Sequence, residues 1–203
     1  NDKPFLLPLN QLLGFVGAHE WHKKGINIPQ LNGKIHVPFG VFSPLRGEYL
    51  DLIAQAPLAP NIQTAFDIGT GSGVIAAILV KRGIPNIIAT DTNPKAIACA
   101  TANLEHLSLD KAVSIQSIDL FPETCADLIV CNPPWLPAKP TSAIETALYD
   151  PNHAMLTAFL NGVHQHLNPN GEAWLIISDL AEHLHLRDKD FLQQCFQTAS
   201  LNV

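Results

Sequence analysis

Asp67-Ile68-Gly69-Thr70-Gly71-Ser72-Gly73-Val74 leads from an apolar segment at 63–68 directly into an apolar, helix-patterned run at 74–81. Alternate glycines let a chain leave a strand and turn tightly, and they keep Cβ atoms clear of anything that approaches the backbone. The helix start that follows offers unpaired N–H groups and the positive end of a dipole. Strand, glycine turn and helix in that order form the first half of a βαβ unit.

The alternation continues downstream. Apolar segments at 86–90, 112–117, 126–131 and 172–178 read as strands, separated by helical patterns at 94–106, 154–167 and 188–199. Strands apolar on both faces belong in a mostly parallel sheet with helices on each side. The predicted fold class is therefore α/β, a doubly wound, mostly parallel sheet. Ligands of such sheets lie beyond the carboxyl ends of the strands, where strand order reverses. Asn168-Pro169-Asn170-Gly171 is expected to turn the chain between a helix and its following strand, and Leu201-Asn202-Val203 to open another strand.

Upstream, Leu6, Leu9, Leu12, Leu13, Val16 and Trp21 recur at roughly helical spacing over 4–24, with Gly25 as the stop. Residues 35–42 read as a short strand or extended arm, and Ser43-Pro44 as the capped start of a helix reaching Ile53. This divides the chain into an N-terminal helical extension, 1–34, and an α/β domain, 35–203. Position 1 is Asn and the sole methionine is Met155, so a preceding segment is expected, and an upstream domain could pack on the leading helix.

Hydrophobic residues make up 47% of the chain, enough for one substantial core, and no run approaches the ~18 apolar residues of a membrane span. A net charge of −6 gives no global pull toward nucleic acid. Cys99, Cys125, Cys131 and Cys195 form no CxxC pair and read as buried thiols of a reducing, cytoplasmic protein. The close pairs His164/His166 and His183/His185 fall in helical patterns, where a spacing of two separates side chains, so the histidines read as surface residues and no metal site is expected.

Chemistry concentrates in four loops. In the first, Asp67, Gly69, Thr70, Gly71 and Gly73 make a cofactor cradle, but Val74 stands where a GxGxxG dinucleotide fingerprint has its last glycine. A carboxylate at 67 is awkward beside a pyrophosphate and suits an ammonium group, which S-adenosyl-L-methionine carries. Asp91, at the end of the second strand, is placed to accept hydrogen bonds from two ribose hydroxyls. Asp119 offers an acceptor for an adenine amino group, with Leu120 as a packing surface. In Asn132-Pro133-Pro134-Trp135 a proline pair fixes the backbone and turns carbonyls outward beside an amide and an indole. Such acceptors can bind both N–H groups of a planar nitrogen and aim its lone pair. The connection from Pro137 through Pro140 to Tyr149-Asp150 is long enough to cover a substrate, with Glu145, Tyr149 and Asp150 as candidates.

DIGTGSG at 67–73 and the NPPY-like tetrapeptide at 132–135 resemble those of class I S-adenosylmethionine-dependent methyltransferases of the amino-methylating group. Gly40-Val41-Phe42-Ser43-Pro44 is similar to the segment before the core in release-factor glutamine methyltransferases and small-domain rRNA methyltransferases. The resemblance implies a seven-stranded-type Rossmann-like methyltransferase sheet, its terminal edge hairpin incomplete in this chain. It implies an N-methyltransferase using S-adenosyl-L-methionine on a protein or RNA acceptor. Asn132 and the Pro133 carbonyl would bind the target amino group beside the cofactor, with Pro134 in the rigid element and Trp135 stacked on the acceptor plane. Trp135 departs from the usual Tyr or Phe. Two other classes compete: a nicotinamide-dependent oxidoreductase, which accounts for Gly69, Gly71 and Asp91 only, and a noncatalytic cofactor-binding interaction domain.

Overall fold

The computed structural model describes residues 9–44, 47–137 and 149–203. Helix α1 (Leu9–Lys24) leads to a small antiparallel hairpin of β1 (Ile26–Ile28) and β2 (Gly33–Ile35), and α2 (Glu48–Gln55) precedes the main sheet. The sheet contains β3 (Thr64–Ile68), β4 (Asn86–Thr90), β5 (Val113–Gln116), β6 (Ala126–Cys131) and β7 (Leu167–Leu175). Helices α3 (Val74–Lys81), α4 (Pro94–His106), α5 (Ala154–Gly162), α6 (Leu180–His183) and α7 (Phe191–Thr198) complete the order.

All strand pairs of the sheet are parallel and the order is β5-β4-β3-β6-β7. The chain steps outward from β3 through β4 to β5, then returns to lay β6 against the other side of β3. Strand order therefore reverses between β3 and β6. Ile68 pairs with both Thr90 and Cys131, so the loops after β3, β4 and β6 leave the sheet level with one another.

Alternation along β3 assigns its two faces. Ala65 belongs to the core built with α2, α3 and α4, where Leu50, Ile53, Ile75 and Leu79 are buried. Phe66 and Ile68 belong to the opposite core, with Leu156, Phe159 and Leu160 of α5. Both faces are covered, as the near-continuous apolar strands require.

Several local expectations are corrected. Ser43 does not cap a helix: its hydroxyl is buried without a partner among the described residues, and α2 begins at Glu48 after Gly47. The preceding arm instead lies on α4, where His36 N–H donates to Asn103 Oδ1 at 2.7 Å and the Cys99 thiol to the His36 carbonyl at 3.3 Å. Residues 168–171 do not link a helix to a strand. Ala126 pairs with Leu167 and Leu128 with Glu172, so the four residues bulge within β7. Asp127 holds the bulge by accepting from Asn168 Nδ2 at 2.7 Å, and its other oxygen accepts from the N–H groups of Gln63 and Thr64 at 2.8 and 2.9 Å. At Gly171 a Cβ would lie 2.9–3.1 Å from three carbonyl oxygens, which explains the glycine.

The helix expected over 154–167 ends at Gly162 and tightens into a 3₁₀ turn, α6 is additional, α7 begins only at Phe191, and Leu201–Val203 joins no strand. Cys125 is exposed, whereas His153 is buried with its ring 4.5 Å from that of Phe191.

Candidate functional site

Gly69, Gly71 and Gly73 all take positive φ, at 71°, 56° and 78°, where a side chain would be strained. A Cβ at 73 would lie 3.1 Å from Ala100 of α4, and one at 69 would lie 3.0 Å from Met155 Cε. Gly71 meets nothing closer than 3.9 Å and opens outward.

The loop rests on a buried acid. Asp67 Oδ2 accepts from Thr70 Oγ1 at 2.7 Å and from Ala76 N–H, in the first turn of α3, at 3.0 Å. Its Oδ1 is buried without a partner among the described residues, and burial pushes the carboxyl up to about 6 despite those two hydrogen bonds. Asp67 thus stands behind the loop rather than in the cavity wall.

This makes a pH signature. Below the ordinary 3.8 both folded and unfolded chains hold the proton, and between there and about 6 the unfolded chain loses it while the folded chain keeps it. Rising pH therefore costs stability over that window, by about 3 kcal/mol at ~1.36 kcal/mol per pKa unit. Asp67→Asn keeps an acceptor for Thr70 and Ala76 without the ionisation. Urea titrations of both proteins from pH 4 to 7 should show the variant gaining on the wild type as pH rises; a constant gap would contradict the buried acid.

Asp91 sits level with the glycine loop, and its carboxylate is fixed by two backbone donors, Gly71 N–H to Oδ2 at 3.0 Å and Asn93 N–H to Oδ1 at 2.8 Å. The helix cap is Asn93, whose Oδ1 accepts from Lys95 N–H at 3.0 Å and whose Nδ2 reaches the Gly40 carbonyl at 3.3 Å. After β5, Asp119 is exposed, and the Leu120 carbonyl accepts from Thr90 Oγ1 at 2.7 Å.

After β6, Pro133 is buried while Asn132, Pro134 and Trp135 are partly exposed. The Trp135 indole N–H donates to Asn132 Oδ1 at 3.0 Å. Among the described residues nothing donates to the Pro133 carbonyl. The Leu136 carbonyl accepts from Asp150 N–H at 2.8 Å, and the Asp150 carboxylate caps α5 by accepting from Met155 and Leu156 N–H, each at 2.9 Å. Asp150 is buried by this, so its role is to cap α5. Tyr149 bridges Leu136, and Pro140 and Glu145 lie outside the described residues.

These loops enclose one cavity of about 480 Å³. Gly69, Thr70, Gly71, Asp91, Asp119, Asn132, Pro133, Pro134 and Trp135 all line it, whereas Asp67 and Gly73 do not. Gly71 and Asn132 thus face a common space at the carboxyl rim. The wall also includes Gly40, Val41, Phe42, Tyr49, Asn93, Lys95 and Met155, none of which sequence reasoning assigned to the site. Lys95 follows the cap of α4 by two residues, a spacing that could have flagged it. Met155 and Tyr49 arrive from distant elements and carry no local signal.

A family model described as methyltransferase small domain matches residues 33–202. The chain belongs to the methyltransferase small domain family. A release factor glutamine methyltransferase of Cereibacter sphaeroides is 34% identical over 140 residues, covering 62% of this chain and 50% of that protein. A tRNA1(Val) (adenine(37)-N6)-methyltransferase of Cytophaga hutchinsonii is 32% identical over 133 residues, covering 62% of this chain and 56% of that one. This small-domain chain therefore spans about half the length of the curated relatives it matches. In fold it is similar to a ribosomal protein L11 methylase of Lactobacillus delbrueckii subsp. bulgaricus, with a TM-score of 0.59 at 21% identity over 83% of this chain and 76% of that one. A methyltransferase of Pyrococcus furiosus gives 0.58 at 17% identity, covering 91% and 87%. Membership agrees with the glycine loop, the tetrapeptide and the reversal of strand order between them.

Proposed function

We propose that this protein is an S-adenosyl-L-methionine-dependent N-methyltransferase acting on a planar amide or amino nitrogen, with a glutamine side chain of a protein as the favoured acceptor. The observation that carries this reading is the shared cavity, which has Gly71 and Asp91 in one wall and Asn132 with Pro133 in another, the Pro133 carbonyl taking no donor among the described residues. The donor fits the residues present: about 480 Å³ lies in the ~300–1,000 Å³ range of small-molecule sites, and Gly71 leaves open the space a Cβ would fill. Among the described residues no helix is long and apolar enough to cross a membrane.

When bound, the cofactor supplies a methyl on a sulfonium: the acceptor lone pair forms the N–C bond as the S–C bond breaks, and the surplus N–H proton then leaves to solvent. The chain's own part is to orient the acceptor. Asn132 Oδ1 and the Pro133 carbonyl accept the target N–H groups and draw its lone pair out of conjugation toward the methyl. Holding two reactants about 3–3.5 Å apart in line is worth ~7–11 kcal/mol of barrier. Asp91 would hold the ribose and Asp119 and Leu120 would meet the adenine, all three lining the cavity, while Asp67 braces the cradle from behind. We assign residues 1–34 to an N-terminal extension of the unit at 35–203, joined to it through Ile28 and Leu31, which are buried in the core shared with α2 and α3. The net charge of −6 and the release factor relative favour a protein acceptor over RNA.

The test is methyl transfer from labelled S-adenosylmethionine into cell extract divided into protein, RNA and small-molecule fractions. Label in protein, stable to base and recovered as N-methylglutamine, is the expected result. Label in RNA moves the acceptor to a nucleobase. Transfer into no fraction, despite bound cofactor in calorimetry, leaves a noncatalytic domain.

A further inference from the structure

We propose that Trp135 is a positioning residue that sets the polarity of the Asn132 amide, and that this is what a tryptophan at 135 provides in place of Tyr or Phe. The inference rests on the methyltransferase reading of the same site and deepens it.

A primary amide at the end of a side chain has two nearly isosteric orientations that exchange acceptor and donor ends. At the cavity wall the two are chemically opposite. With Oδ1 inward, Asn132 accepts an N–H; with Nδ2 inward, it presents a donor that repels that group. Among the described residues no backbone N–H donates to Asn132 Oδ1, and the prolines at 133 and 134 have none to offer.

The indole makes it. Its N–H is a donor only, and it meets Asn132 Oδ1 at 3.0 Å. Turning the amide over would set Nδ2 against the indole N–H, donor against donor. Oδ1 has two lone pairs, so one remains for the acceptor while the other is held by Trp135. With the Pro133 carbonyl, which takes no donor among the described residues, this leaves acceptor capacity on two adjacent residues that line the cavity. The pair is partly exposed, so water competes for Oδ1 whenever the indole donor is absent. Trp135 thus keeps the clamp in one orientation before any acceptor arrives, a preorganisation that acts through Asn132.

The decisive experiment compares Trp135→Phe in two backgrounds. In otherwise native protein it should lower kcat about 3- to 10-fold, the worth of one ordinary hydrogen bond, with cofactor Kd unchanged. In an Asn132→Asp background both ends of the side chain are oxygens, so orientation no longer matters and the same change should cost less than about 2-fold. Equal losses in both backgrounds would show that the ring acts by its face or bulk and would overturn the proposal. A direct readout needs no turnover. The Trp135 indole N–H, identified in a ¹⁵N spectrum by its loss in Trp135→Phe, should exchange with solvent several-fold faster in Asn132→Ala. Unchanged exchange would refute the bond even if Asn132→Asp proved inactive. Absence of methyl transfer by the native protein would count against the proposed function, while the exchange measurement would still decide the pairing.

Discussion

Asn132→Ala is expected to slow methyl transfer about 100- to 1,000-fold, with cofactor affinity within about twofold of the native protein. The magnitude is that of removing one oriented partner from a preorganised site. An amide or exocyclic amino nitrogen shares its lone pair with a neighbouring π-system and attacks poorly while planar. Two acceptors on its N–H groups favour the pyramidal form, and that stabilisation is largest where the new bond is forming, so it enters kcat more than ground-state binding. Removing Asn132 also strands the Trp135 indole, whose donor then has only water. Gly71, Asp91 and Asp119 are untouched, which is why calorimetric cofactor affinity should hold. Equal loss of affinity and turnover would place Asn132 in the cofactor site rather than the acceptor clamp.

Much of this arrangement could be read from the chain because its signals are local. The bounds of α3, β4, α4 and β6 follow the sequence reading to the residue, since each is a continuous apolar or amphipathic run between strong punctuation such as Gly73 or Asn93-Pro94. The loops followed from the strands that end beside them. What escaped was decided by tertiary contacts. Ser43-Pro44 has the chemistry of a helix start, but the arm is drawn onto α4 by Asn103 and Cys99 and the helix begins later. Asn168–Gly171 has turn chemistry, yet Asp127 turns it into a bulge within β7. Asp67 could be placed at the end of β3, but only alternation across the sheet, with Thr70 and Ala76 waiting on the α3 side, sends its carboxylate behind the glycines. Tyr49 and Met155 reach the cavity from elements about 20 and 86 positions from Gly69, a proximity that only the fold creates.

Asp91→Ala should weaken S-adenosylmethionine binding by about 100-fold or more, and its cause divides into two parts that a second variant separates. On the proposed reading, each ribose hydroxyl donates a charge-assisted hydrogen bond worth about 1.5–3 kcal/mol, and tenfold in Kd corresponds to about 1.4. The carboxylate also organises the protein: Oδ2 holds Gly71 N–H and Oδ1 holds Asn93 N–H, and Asn93 in turn caps α4 and tethers the Gly40 carbonyl. Alanine removes both functions. Asp91→Asn retains one neutral acceptor, enough for one of the two backbone donors, but gives up the charge and the second oxygen. Its affinity should fall between those of the native protein and Asp91→Ala, with thermal stability closer to native. If the two variants bind equally weakly, charge dominates; if asparagine restores affinity fully, the bracing of Gly71 does. Unchanged affinity in Asp91→Ala would remove this carboxylate from the cofactor site altogether. The glycine cradle would then have to bind without its neighbour just after β4, although Thr70 N–H donates to the Thr90 carbonyl at 2.8 Å and ties the cradle to that strand end.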